Sequence, residues 1–145
     1  MELKDLQEMW AKDSKIDQTK LGEEISRTFT LHSHWSDIFD SIKKETLSAE
    51  KNYLKIRKIM NRYYSGEMGK EELQHYKLEQ FQGKKPSKTM LDDLLEMDSI
   101  LMPYKERVEE LHIMREKVED ICVMIRYRQR TIQNLIDYEK FCAGA

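Results

Sequence analysis

The chain has 145 residues and a formal net charge of −2, with 39% hydrophobic and 36% charged residues and only five glycines and two prolines. That length fits one domain or slightly less than two, and the charged, Gly- and Pro-poor balance predicts an all-α protein of long, solvent-exposed helices. The net charge excludes the whole-molecule basic field of many duplex binders, so any nucleic-acid contact must come from a local concentration of Lys and Arg.

Residues 2–12 read as a short amphipathic helix, with Leu3, Leu6, Met9 and Trp10 gathered on one face. A break follows at residues 13–17, where Ser14 and Asp17 are candidate caps for the next helix. From Asp17 to Tyr64 there is no proline and one glycine. From Trp35 onward, Phe39, Ile42, Thr46, Ala49, Tyr53, Ile56, Met60 and Tyr63 keep a 4–3 alternation, a heptad seam. Ser65-Gly66 stops this run, because glycine readily takes the left-handed conformation that ends a helix.

Residues 67–89 read as a polar connector, with a short helical segment around 71–81 and a break at Gly83-Lys84-Lys85-Pro86-Ser87. Ser87 starts another short helix carrying Met90, Leu91, Leu94, Leu95 and Met97, and Pro103 either opens the last helix in its first turn or kinks it. From Tyr104 to Phe141 a second seam has Leu111, Val118, Ile125 and Ile132 seven residues apart, with Met114, Ile121, Arg128 and Leu135 three residues after each. These breaks divide the chain into an N-terminal helical region (1–66), a polar connector (67–89) and a C-terminal helical region (90–145).

Both long helices exceed the roughly 40 Å diameter of a compact globule of this length. The wide apolar face of the last helix is therefore expected to be buried between subunits, giving a homo-oligomer built on Leu111, Met114, Val118, Ile121, Ile125, Arg128, Ile132 and Leu135, with Arg128 pairing an acidic residue of a neighbouring subunit such as Glu139. The other reading is a monomeric antiparallel bundle in which the long helices break.

The sharpest charge feature lies in residues 43–62, where seven Lys or Arg stand against two Glu, a local excess of five positive charges. Lys44, Lys51, Lys55, Lys58 and Arg62 follow at steps of 7, 4, 3 and 4 and so share one face, with Lys58 about 200° around from the seam residue Ile56. A row of cations opposite a buried seam suits a phosphate backbone, and Tyr64 at its end offers a ring on which an unpaired base could stack. Arg57 adds to the set. Weaker basic groups lie at Lys70, Lys77, Lys84, Lys85 and Lys88 and at Arg126, Arg128 and Arg130. The competing reading makes the basic face a solvated surface and the seams a scaffold for protein partners.

No catalytic constellation emerges, so a non-enzymatic protein without cofactor is expected. His32 and His34 are two residues apart, which on a helix forbids shared ligation of one metal, and His75 and His112 are isolated. Gly83-Lys84-Lys85 lacks the earlier glycine of a phosphate-binding loop. Cys122 and Cys142, twenty residues apart, read as reduced packing thiols. With no basic, apolar leader and no long apolar run, the expectation is a soluble, cytoplasmic protein that makes no membrane contact.

Taken in order, Asp5-Leu6-Gln7-Glu8, Lys12-Asp13, Ile16-Asp17 with Thr19-Lys20-Leu21, Ser41-Ile42-Lys43-Lys44-Glu45 with Leu47, and Tyr63-Tyr64-Ser65-Gly66 resemble the N-terminal half of the UvsY recombination mediators of tailed phages. Phe141 followed by Ala143-Gly144 is similar to the family's C-terminus, while residues 67–140 agree in helical character. The resemblance implies a ring-like homo-oligomer, hexameric or heptameric, in the cytoplasm of a bacterial host. It also implies that this oligomer binds single-stranded DNA and helps a RecA-like phage recombinase load where single-strand-binding protein is bound. The family's basic motif before Tyr-Tyr-Ser-Gly matches at Lys58, but a second basic residue two positions later is replaced by Met60, with Arg57 and Arg62 nearby to compensate.

Overall fold

The computed structural model describes residues 1–144, and all regular structure among them is helical. The order is α1 (Leu3–Asp13), α2 (Leu21–Tyr64), α3 (Lys70–His75), α4 (Lys88–Glu96) and α5 (Met102–Cys142). The helix boundaries follow local chemistry. In front of α1 the Glu2 N–H donates to Asp5 Oδ2 at 2.8 Å, satisfying one of the donors a helix start leaves free.

Ser14 caps the C-terminal end of α1, not the start of α2. Asp17 shapes a turn ahead of α2, accepting from the N–H and hydroxyl of Thr19 at 2.9 and 2.6 Å, and α2 starts four residues beyond it. Gly66 stops α2 with φ of +72°, while the Glu67 N–H reaches back to the Arg62 carbonyl at 3.0 Å, a Schellman closure. Ser87 caps α4 by accepting from the Met90 N–H at 3.4 Å. Pro103 opens α5 within its first turn, where a missing N–H removes no helical bond, and the helix runs on through it.

Packing divides the chain into two compact units, Met1–Glu45 with Glu110–Ala145, and Thr46–Glu109. Long helices that fold back on each other place residues distant in sequence together, so the units cut across the chain-order division expected from the sequence.

The core of the first unit is made by α1, the N-terminal part of α2 and most of α5. Leu6, Trp35, Leu111, Met114, Val118, Ile121 and Ile132 are fully buried, with Leu31, Ile42 and Ile125 close to it. Trp35 packs edge-on against Trp10 at 5.8 Å, and its indole N–H donates to Asp13 Oδ2 at 3.1 Å, so the ring is buried with its one polar group satisfied.

The seam of α5 is thus covered by its own chain. Leu111, Met114, Val118, Ile121, Ile125 and Ile132 are at most 1% exposed, Arg128 is 5% exposed and Leu135 is half-buried. Length alone did not require a second subunit here, because α1 and the start of α2 supply the cover. Arg128 likewise finds its acid at home. Its guanidinium pairs with Glu24 of α2, not Glu139, and reaches the Ser14 carbonyl at 3.5 Å. Arg27 joins the network through Glu24 at 3.2 Å and the Asp13 carbonyl at 3.2 Å. Burial pulls the Arg128 guanidinium below its ordinary range, and the adjacent Glu24 carboxylate opposes that shift.

The second unit has a smaller core of Met60, Leu95 and Leu101, with Tyr53, Ile56, Tyr63, Tyr64, Leu78 and Leu91 packed around it. Buried Asp98 organises one side. Its Oδ1 accepts from the N–H groups of Ile100 and Leu101 at 2.9 and 2.8 Å, and its Oδ2 accepts from the Tyr64 hydroxyl at 2.5 Å.

Candidate nucleic-acid interface

The seven residues singled out for DNA contact are all on α2, and the structure sorts them into different situations. Lys51, Lys55 and Lys58 are exposed in the second unit and form no ion pair among the described residues. At 100° per residue they fall within an arc of about 60°, a single row of ammonium groups facing water. The face is polar because the opposite one carries Ile56 and Met60 into the core. Lys44 belongs to the first unit, where it is also exposed and unpaired.

Arg57 and Arg62 are less available. Arg57 pairs with Asp92 of α4 at 3.6 Å, and Arg62 pairs with Glu72 of α3 at 2.7 Å. The Arg62–Glu72 hydrogen bond raises the guanidinium pKa above its already high value, with the Glu72 charge adding to it. Both pairs are solvent-exposed and worth little, so a phosphate could compete for either arginine.

Tyr64 does not present a free ring. It is half-buried, edge-on to Tyr63 and Phe81 at 5.1 Å each, and its hydroxyl is tied to Asp98. Desolvation, reinforced by the hydrogen bond to Asp98, raises its pKa well above the ordinary tyrosine value. The ring packs within the second unit, so only part of it is accessible for the stacking role expected for it. Met60, where the resemblance calls for a cation, is 2% exposed and contributes packing to this core.

The sequence reading missed a partner surface on α4. Lys51, Leu54, Lys55, Arg57, Lys58 and Asn61 of α2 face Lys88, Leu91, Asp92 and Leu95 of α4 across a groove of about 600 Å³. The signal was present as Lys88, set aside as one of several connector lysines, and as Leu54, which falls outside the heptad seam.

None of the other weaker candidates lines this groove. Arg126 and Arg130 are exposed on α5 in the first unit, and Lys70, Lys77, Lys84 and Lys85 are exposed around α3 and the connector. Among the described residues no group of three or more His, Cys, Asp or Glu could hold a metal, and no described helix is long and apolar enough to cross a membrane. Cys122 is half-buried and Cys142 exposed, both free, and burial pushes the Cys122 thiol up.

Comparison with known proteins places this arrangement. Residues 9–145 match the family described as "Recombination, repair and ssDNA binding protein UvsY", well beyond the first 66 residues, which carry most of the resemblance in sequence motifs. The recombination protein uvsY of Enterobacteria phage T4 is 36% identical over 104 residues, covering 70% of this chain and 73% of that one. Crystal structures of the bacteriophage T4 recombination mediator protein UvsY superpose with a TM-score of 0.84 at 27% identity, over 97% of this chain and 99% of that one. A second lattice form gives 0.83 at 29% identity, over 99% and 98%. The chain therefore belongs to the UvsY family of recombination, repair and single-stranded-DNA-binding proteins.

Proposed function

We propose that this chain is a recombination mediator. It binds single-stranded DNA through Lys51, Lys55 and Lys58, with Lys44 as a further contact, and promotes loading of a RecA-like recombinase onto DNA coated with single-strand-binding protein. The observation that carries the reading is the unpaired lysine row on an exposed helix face in a chain with 27 acidic residues against 25 basic ones. Membership of a family described as single-stranded-DNA-binding supports it. Lysine ammonium groups act on phosphates as point charges without demanding a fixed geometry, which suits a flexible strand bound without regard to sequence.

The mediator works as a homo-oligomer, a ring of six or seven subunits in which each chain offers one lysine row. The face of α5 turned away from its own chain supports such an assembly. Ile113, Met124, Tyr127 and Tyr138 are 53%, 43%, 63% and 65% exposed and fall within an arc of about 60°, and Val123 and Phe141 widen it. Aligned exposed aromatics on a soluble helix mark an interaction surface. This outer face, not the buried seam, is the one available to a second subunit.

Single-stranded DNA binding by fluorescence anisotropy over a salt series tests the DNA-binding role. The slope of log affinity against log salt is expected to be about 0.7 for each phosphate neutralised, hence roughly 2 to 3 for three or four lysines of one subunit. Lys55→Glu with Lys58→Glu is expected to lower affinity at least about tenfold and flatten the slope while the circular dichroism spectrum stays helical. Unchanged binding by that variant would leave the row without its role and favour a helical scaffold for protein partners.

A further inference from the structure

The groove between α2 and α4 has a composition that phosphate binding does not account for. Its rim carries Lys51, Lys55, Lys58 and Lys88, none of them ion-paired among the described residues, and the Arg57–Asp92 pair at 3.6 Å crosses its wall. Its floor is aliphatic, with Leu54 56% exposed, Leu91 half-buried and Leu95 beneath them. One heptad before Leu54, on the same side of α2, Leu47 is 60% exposed and continues the apolar line past the groove.

Electrostatics alone needs no such line. Two leucines held in water seven residues apart beside a lysine row form the negative of an amphipathic helix, with apolar anchors for the floor and carboxylates for the rim. A nucleobase fits less well. Unpaired bases are held by flat aromatic faces, whereas every apolar residue lining this groove is leucine, and the nearby rings of Tyr63, Tyr64 and Phe81 are packed against one another.

We infer that this groove is a docking site for an acidic, amphipathic helical segment of a partner protein, which seats its apolar side chains on Leu54, Leu91 and Leu47 and its carboxylates on Lys51, Lys55, Lys58 and Lys88. Three of those lysines belong to the row assigned above to DNA. The segment and the strand therefore exclude each other, and a partner with such a segment is released or captured as the DNA leaves or arrives. That exclusion rests on the DNA-binding reading, whereas docking itself does not.

The test uses the whole protein in its native assembly and a fluorescein-labelled peptide of about 16 residues, with leucines at i, i+4, i+7 and i+11 and glutamate at most other positions. A control peptide keeps the glutamates and replaces leucine by serine. Anisotropy is expected to show the leucine peptide binding about tenfold or more tightly than the serine control, since each buried leucine adds a transfer term to the charge attraction that both peptides share. Leu54→Gln, at an exposed position, is expected to remove most of that difference while leaving oligo-dT affinity within about twofold, and Lys88→Glu is expected to weaken the peptide. Added oligo-dT is expected to displace the peptide.

Equal binding of both peptides overturns the site in favour of bare charge attraction. Loss of oligo-dT affinity in Leu54→Gln reassigns the floor to bases, and a fall in sedimentation mass reassigns it to a second copy of the chain. If oligo-dT does not bind the unaltered protein at all, the DNA reading fails while peptide docking stands or falls on its own titration.

Discussion

Asp98 and Tyr64 illustrate how one short contact fixes local structure. The carboxylate, 6% exposed, accepts the Tyr64 hydroxyl and two backbone N–H groups ahead of α5, so its loss strands three donors at once. Asp98→Ala is expected to cost about 2 to 4 kcal/mol in urea unfolding, more than a single neutral hydrogen bond, because unsatisfied donors are left behind. Tyr64→Phe should cost less, about 1 kcal/mol.

The pair also predicts a pH dependence. The tyrosine pKa is raised on folding, so the native state keeps a proton that the unfolded chain releases. Stability from this group is present in full below the ordinary value of 10.0 and declines as pH rises above it. The stability difference between the parent and Tyr64→Phe should therefore hold up to about pH 10 and shrink as pH rises from there to about pH 11 in thermal melts. A difference that stays constant across that interval would rule out Tyr64 as the group responsible.

At the scale of elements, Arg128 shows what a repeat pattern reveals and what it conceals. The period of 3.5 along α5 identifies Leu111, Met114, Val118, Ile121, Ile125 and Ile132 as a buried line, and all of them are buried. The same period arises whether the opposing helix comes from the same chain or another, so the partner was not legible. Arg128 in that line announced an acidic partner, but Glu24 lies 104 residues away and no local pattern links them. Likewise the lysine row of α2 was readable from steps of 3 and 4, while the contribution of α4 to the groove depends on a tertiary contact between α2 and α4. The packing of Tyr64 was not legible, because a tyrosine beside a basic stripe looks alike in sequence whether its ring faces water or Phe81.

Because Arg128 and Glu24 are both buried, removing one partner differs from replacing both. Glu24→Leu alone strands the buried Arg128 charge and is expected to cost about 3 to 5 kcal/mol, whereas Arg128→Ala leaves Glu24 paired with Arg27 and should cost less. Glu24→Leu with Arg128→Met fills similar volume without charge and should return stability to near the parent value, Arg27 retaining Asp13 as its partner at 3.9 Å. A double variant as unstable as the singles would show that the network supplies net stability and not merely satisfied burial.

For the whole molecule, affinity turns on number. On the proposed DNA-binding role, a row of three or four lysines gives one chain only a few phosphate contacts, weak at physiological salt, so tight binding of a strand requires several rows acting together. Tethering copies of a weak site raises overall affinity by about 10² to 10⁴ without any new contact. The outer face of α5 is what would join them, and Tyr127 and Tyr138, 63% and 65% exposed, lie outside the buried seam. Tyr127→Lys with Tyr138→Lys is expected to reduce sedimentation mass toward one chain and to weaken oligo-dT binding by about 100-fold, although the variant has gained two positive charges. The direction matters because charge alone predicts the opposite. Tighter binding by a monomeric variant would mean that each lysine row suffices by itself, and an intact assembly would mean that subunits meet through some other surface.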